Sequence, residues 1–259
     1  MGFDLIGSRE KAVAIVEIPK DKNGKKIAEE IMIKNKNVKS VLKKVSKRRG
    51  KLRLRGCKLV AGDRNTEVTH IEHGYLLKLN PQKVYFSPRE ATERQRVAEQ
   101  VGPKETVLVI GSGVAVLPIA IAKKQPGVEK VVGIEINKAA HKYAEENVRI
   151  NKLAHKITLV SGDAKTKCKK YFGRCTRVLI PLPLESEKFL DVAVKCLKPE
   201  GGIIHFYSVG IGDDLFSGSL LTIKKSAKRL GKRIKILNKK EILPYAPGKW
   251  KVCIDFKVS

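Results

Sequence analysis

Long apolar runs are missing from this 259-residue chain. None approaches the roughly 20 residues that a membrane-spanning helix needs. The opening, MGFDLIGSRE, meets charge too early to hold the apolar stretch of a secretory signal. Cysteine is sparse: Cys57, Cys168, Cys175, Cys196 and Cys253 are odd in number and contain no Cys-x-x-Cys pair. Neither a disulfide framework nor a zinc site is expected from them. His70 and His73, in THIEHG, have the wrong spacing for a metal-ligand box and read as part of a hairpin. Aromatic residues are only 5% of the chain, too few for a broad stacking platform. Tyr85, Phe86, Phe206, Tyr207, Tyr245 and Trp250 are expected mostly in the core, as is His205. Acid is also short, with 26 Asp and Glu against 54 Lys and Arg. These absences describe a soluble, cytoplasmic protein with no metal and no membrane partner, expected to be a monomer.

What the chain does have is positive charge, a formal +28 spread along its length. Such an imbalance repels itself in the folded state and calls for a polyanionic partner, of which RNA, DNA and an anionic surface are the candidates. The spread favours a folded basic face over a disordered arm. A hydrophobic share of 42% is enough for a real core.

Two compositional parts are visible. In the first, AVAIVEIP (12–19) is a β-branched run closed by proline and predicts a strand. In residues 25–45, Ile27, Ile31, Val38, Val41 and Leu42 fall near helical spacing and predict a helix. KLRLRGCKLVAG and TEVTHIEHGYLLKLN follow as strand-like segments, the second bent at His73-Gly74. Residues 1–80 are therefore a small α+β domain, and its most basic stretch is SKRRGKLRLRG. After the proline at Asn80-Pro81 the pattern changes, and strands and helices alternate as in a parallel sheet with crossover helices. Residues 81–259 form this second, α/β domain.

The sequence VLVIGSGVAVLPIAIA places Gly111, Ser112 and Gly113 between a strand and a helix. Glycines there allow a tight turn and close backbone approach to a ligand. Glu135, 22 residues after Gly113, ends the next strand, where an acid can accept hydrogen bonds from ribose hydroxyls. Asp163 ends the strand after that. In class I methyltransferases an acid at this third position commonly receives the adenine amino group. Glycine turn, Glu and Asp at three successive strand ends thus predict a Rossmann-like site for S-adenosylmethionine rather than for a nicotinamide.

With these residues identified, the chain resembles the archaeal and eukaryotic tRNA (guanine-37-N1)-methyltransferase family. FDLIG and AIVEIP look like the opening of that family's middle domain. KVYFSPREATERQRV looks like its linker, TRVLIPLPLESEKFLD like the region of its Asn-Leu-Pro motif, and YAPGKWKVCIDFKV like its final strand. The separate N-terminal domain of some relatives is not expected here. The resemblance implies that Glu93 is the general base, that Arg53 stabilises guanine O6, and that Arg89 helps hold the active geometry. It implies that Tyr85 and Glu135 contact the cofactor, with Asp163 near the adenine. Two positions depart from the family: Pro181-Leu182-Pro183 stands where it has Asn-Leu-Pro, placing Pro181 at the cofactor pocket, and the turn after Gly111 lacks the usual aspartate. Both departures resemble an archaeal subgroup that also methylates carbon 7 of the wyosine precursor.

The implied chemistry suits these residue types. Guanine N1 carries a proton that must leave before the nitrogen can attack a methyl group, and a partly buried carboxylate can take it. Negative charge then gathers on O6, where a guanidinium stabilises it. The partner would be the anticodon stem-loop and body of tRNA, with the target base flipped from its stack. Three other readings compete: a 3-amino-3-carboxypropyl transferase of the same fold, a non-catalytic RNA-binding protein, and a small-molecule methyltransferase. The last explains neither the charge nor the first domain.

Overall fold

A computed structural model describes residues 2–19, 21–46 and 55–259. Arg53 lies outside the described residues. The chain forms two compact units: Met1–Ala91 with Gly113–Val116 and Asn137–Lys152, and Thr92–Ser112 with Leu117–Ile136 and Leu153–Ser259. None of the helices among the described residues is long and apolar enough to cross a membrane.

The first unit opens with β1 (Phe3–Gly7), β2 (Ala12–Val16), α1 (Gly24–Lys34), β3 (Val38–Lys44) and β4 (Cys57–Gly62), giving a sheet of order β1-β2-β3-β4. All five residues of β2 are buried, which is why its run is apolar without alternation. β2 and β3 are parallel and need a crossover, which α1 supplies. Asn23 caps α1 by accepting from the Lys25 and Lys26 amides at 3.0 and 3.2 Å. Ala28 and Ile31 of the helix pack on Ala12, Ala14, Val16, Val38 and Val41. The helix does not run on through Leu42 as the spacing predicts. At Asn35 both the backbone amide and the side-chain amide turn back to the Ile31 carbonyl, and Val38-Lys39-Ser40 resumes as a strand. Helical and strand periods coincide over so few apolar residues, and the pair of asparagines at 35 and 37 is the better boundary signal.

β5 (Val68–Glu72) and β6 (Tyr75–Leu79) form the expected hairpin. His73 (φ 45°) and Gly74 (φ 81°) both take left-handed conformations, the requirement of a two-residue turn matched to strand twist. The open edge of β6 meets α4 (Lys138–Ile150) through two asparagines one helical turn apart. Asn147 accepts from the Lys78 amide (2.6 Å) and donates to the Lys78 carbonyl (3.0 Å). Asn151 does the same with Leu76, at 3.1 and 2.7 Å. Alternate strand residues and successive helical turns advance by similar lengths, so the two side chains stand in for a further strand. Asn147 also donates to the Val114 carbonyl (3.1 Å).

The second unit contains α2 (Ala91–Glu99, from Thr92 onward), β7 (Thr106–Ile110), α3 (Val116–Lys124, from Leu117), β8 (Lys130–Glu135), β9 (Ile157–Ser161), α5 (Ala164–Lys167) and β10 (Arg177–Ile180). It continues through α6 (Glu187–Cys196), β11 (Gly202–Ile211), α7 (Ser217–Arg229), β12 (Ile234–Ala246) and β13 (Lys249–Val258). The strand order is β12-β13-β11-β10-β7-β8-β9. The expected parallel arrangement holds from β11 to β9, but β13 inserts antiparallel beside β11 and pairs antiparallel with β12. The sheet is mixed. β12 escapes the sequence patterning because it is an edge: its lysines and Pro244 break the apolar signal, and its register with β13 shifts at three places. Apolar residues of β7, β8, β10, β11 and β13 pack with α6 in one core that includes Ile110, Ile180, Leu190, Phe206 and Phe256.

Candidate active site

The central strands β10, β7, β8 and β9 run parallel, so their carboxyl ends share one edge of the sheet. From β7 the chain proceeds to β8 and β9 on one side and returns as β10 on the other, making a switch point between β7 and β10 where such sheets bind ligands. Gly111, Glu135, Asp163 and Pro181 all lie at this edge, each at or just after its own strand.

The turn after β7 has positive φ at Gly111 (80°), Gly113 (57°) and Ala115 (65°). The two glycines serve different ends. A Cβ on Gly111 would come within 2.7 Å of the Leu182 side chain, so this glycine makes room for the turn after β10. A Cβ on Gly113 would meet nothing within 4 Å among the described residues, so that position faces open space. Ser112 is buried, and its side chain occupies the room left by a third glycine, Gly133 of β8, where a Cβ would lie 2.8 Å from Ser112 Oγ. Sequence reading passes over Gly133, although a lone glycine inside an apolar strand signals such a close approach. The Ser112 hydroxyl finds no hydrogen-bond partner among the described residues. A buried, unsatisfied hydroxyl is expensive unless a ligand completes it.

Glu135 is buried at the end of β8. Asp163 caps α5, one oxygen accepting from the Lys165 amide at 2.9 Å. Pro181 starts a turn tied by the buried Ser186 hydroxyl, which donates to the Ile180 (2.9 Å) and Leu182 (3.0 Å) carbonyls. The orphaned Ser112 hydroxyl and the buried Glu135 fit a ligand bearing ribose hydroxyls, as S-adenosylmethionine does.

Glu93 is reached from a different direction. On a solvated helix it would pair idly with a nearby base. It does pair within its helix, but the face is buried. Arg96 donates through Nε to Glu93 Oε2 (2.7 Å) and through Nη2 to Oε1 (2.8 Å), and the Tyr207 hydroxyl donates to Oε1 (2.8 Å). Arg96 also reaches Asp255 of β13, at 2.5 Å through Nη1 and 3.3 Å through Nη2. Asp255 Oδ1 lies 2.7 Å from His205 Nδ1, and His205 Nε2 lies 2.8 Å from Arg177 Nη1. Arg177 closes the chain on Glu105 with a two-pronged pair at 2.8 Å on each prong.

The protonation states follow from the donors. A guanidinium can only donate, so His205 Nε2 must accept and the ring is neutral with its proton on Nδ1, aimed at Asp255. Burial also lowers the His205 pKa against the pull of Asp255. Burial opposes ionisation of Asp255, but His205 and Arg96 outweigh it and hold its carboxyl far below the usual range. Burial works against Arg96 as well, and Glu93 and Asp255 together keep it charged. The Tyr207 phenol is pushed well above its usual value by burial, then by Cys253 and Glu93, and stays a donor. His205, Cys253 and Asp255 lie close enough to suggest a metal group. Yet both nitrogens of His205 are engaged, and two guanidinium groups face its ring and the Asp255 carboxylate.

In the first unit, Arg89 is largely exposed and donates from Nε to Asp4 Oδ1 of β1 at 2.5 Å. Tyr85 donates to Glu90 at 2.8 Å and lines a small hollow with Asp4, Ile6, Lys44, Arg55 and Phe86. His70 shares a hydrogen bond with the Gly7 backbone and meets the Phe86 ring edge-on at 5.0 Å between centroids. Sequence reading names Glu93 but misses Arg96 and Asp255. Arg96 was in reach as the i+3 neighbour of an acid; Asp255 lies 159 residues away from Arg96 and leaves no local signal.

Residues 68–237 match the TRM5/TYW2 methyltransferase domain. The chain is 38% identical over 259 residues to tRNA (guanine(37)-N(1))-methyltransferase Trm5b of Pyrococcus abyssi, spanning 99% of this chain and 74% of the relative. The crystal structure of that wild-type Trm5b superposes with a TM-score of 0.88 at 37% identity, covering 100% of this chain and 75% of the other. The solved complex of aTrm5 and tRNALeu superposes with a TM-score of 0.85 at 29% identity, covering 100% and 72%. The tRNA(Phe) (4-demethylwyosine(37)-C(7)) aminocarboxypropyltransferase of Methanocaldococcus jannaschii is 28% identical over 87% of this chain and 88% of its own length.

Proposed function

This chain belongs to the TRM5/TYW2 methyltransferase family, and from that premise we propose that it methylates N1 of guanosine 37 in tRNA, with Glu93 as general base. S-adenosylmethionine, when bound, supplies a methyl group on a positively charged sulfur. Gly111, Ser112, Gly113, Glu135, Asp163 and Pro181 would hold it at the carboxyl edge of the sheet: Glu135 at the ribose, and the second oxygen of Asp163 toward the adenine amino group. Tyr85 is assigned to the cofactor through the family resemblance.

The observation that carries the reading is the state of Glu93. A carboxylate has about four acceptor directions. Two hydrogen bonds occupy Oε1 and one occupies Oε2, so Oε2 keeps one direction for an N1 proton. The three bonds fix the group's orientation, so nothing must be ordered at the moment of transfer. Arg53 remains assigned to guanine O6 through the family resemblance, and Arg89, anchored on Asp4, to holding the linker against β1. The first 80 residues take the tRNA-positioning role, and the net charge of +28 suits a backbone-binding surface. The working form is a cytoplasmic, metal-free monomer.

Single-turnover methylation of tRNA carrying guanosine or inosine at position 37 tests this reading. Glu93→Gln should lower the rate by about 10²- to 10⁴-fold with tRNA and cofactor still bound. An unchanged rate, or equal activity with adenosine at that position, would overturn it. Pro181 favours a second substrate, because it removes the amide that the resembled motif would present to a guanine. Transfer RNA carrying 4-demethylwyosine belongs in the same assay. A mass gain of one methyl separates methylation from transfer of an aminocarboxypropyl unit.

A further inference from the structure

We propose that Asp255 is a positioning residue that sets the proton affinity of Glu93 by sharing the Arg96 guanidinium with it. The proposal rests on the reading of Glu93 as general base. A guanidinium paired two-pronged with one carboxylate favours the ionised form and makes that carboxylate a poorer proton acceptor. Arg96 is not committed to Glu93 alone. Its Nε and Nη2 serve Glu93 while Nη1 and Nη2 serve Asp255, so one positive charge faces two negative ones. Both acids are nearly sealed from water, at 7% and 1% side-chain exposure, where such couplings are screened least.

The arrangement beyond Asp255 keeps its charge available for this purpose. His205 is neutral, so it orients Asp255 with a hydrogen bond without cancelling its charge. Arg177, the guanidinium on the far side of His205, is matched by Glu105. Among the described residues, the other titratable groups around Glu93 are Tyr207 on β11 and Cys253 on β13, both held neutral by burial. Arg94 on α2 is buried as well, and Lys251 on β13 sits 5.1 Å from the Tyr207 ring. Arg96 is the cation that binds Glu93 directly, and Asp255 is the anion that divides it.

The test is the pH profile of the single-turnover rate at saturating tRNA and S-adenosylmethionine. Asp255→Asn leaves Arg96 wholly to Glu93, so the acid limb should move down by about one unit and the plateau should fall by about three- to tenfold, with KM values unchanged. Gln100→Glu gives the opposite sign. Gln100 is exposed and donates to Asp255 Oδ2 at 3.3 Å, so a carboxylate there gives up that one hydrogen bond and adds negative charge beside Asp255 and the guanidinium it shares. The limb should then rise by about 0.3 to 0.5 units in low salt. Asp255→Glu, which restores the charge, should return the limb toward the wild-type position.

A lower rate with an unmoved limb in Asp255→Asn would mean a purely structural role and overturn the proposal. So would a limb in Gln100→Glu that stays put or falls. The second variant carries the test alone if the first does not fold. Glu93→Gln separates the two ideas: if it keeps wild-type turnover, the base assignment itself is wrong, whatever the Asp255 variants do.

Discussion

Two buried polar clusters, one in each unit, are built by opposite means. In the first, Asn147 and Asn151 present amides to the backbone of β6, each matching one donor and one acceptor. In the second, Glu93, Arg96, Asp255, His205, Arg177 and Glu105 form a linked chain of mostly charged groups. An amide has the hydrogen-bonding complement of a peptide unit, so it fills a strand edge with no charge to desolvate. A buried ion chain is costly to assemble and fragile when one member is lost, but it couples a reactive group to distant ones. The contrast suggests that neutral pairs serve where only shape is needed, and charges where proton affinity must be tuned.

Three measurements sharpen that contrast. The largest effect is expected from Arg177→Met, which strands Glu105 and leaves His205 Nε2 without its donor; denaturant unfolding should show a loss of about 3–5 kcal/mol. A variant as stable as wild type would show that the chain is not interdependent. Asn147→Ala leaves the Lys78 amide and carbonyl and the Val114 carbonyl with fewer partners, and should cost about 2–3 kcal/mol. Its stability should vary with pH just as the parent's does, because no ionisable group is removed.

The smallest effect is the pH slope itself. The folded-state pKa of His205 is depressed, so below its ordinary value of about 6.5 the unfolded chain binds a proton that the folded chain refuses. Stability therefore falls as pH drops from about 6.5 toward 5, by at most about 1.4 kcal/mol per unit. Below about 4, Asp255 and Glu105, both depressed by their partners against burial, add to the loss with the same sign. His205→Gln should flatten the upper window. A slope unchanged in that variant would remove His205 from the account.

The legible parts of the molecule are those whose signal is local. The run from β7 through the glycine turn to β8 and its terminal acid could be read directly, since apolar strands and left-handed turns leave marks within a few residues. The hairpin turn at His73-Gly74 was readable for the same reason. β3 was not, because Val38, Val41 and Leu42 suit a helix as well as a strand. β12 was not, because an edge strand facing water has little need of apolar residues. At the candidate site, Glu93 was visible only through its linker motif, and its surroundings were invisible. Tyr207 and Asp255 come from strands more than 100 residues further on, and the sheet brings them to the helix.

β12 has one further consequence. A long outer strand with free backbone groups is a natural template for stacking one molecule on the next, and crowding would make such stacking frequent. Three register slips along its pairing, a proline near its end and a row of lysines deny an incoming strand both a regular ladder and a neutral surface. A chain this rich in one sign of charge thus resists self-association at the border of its sheet, while the same lysines leave that border open to a polyanion.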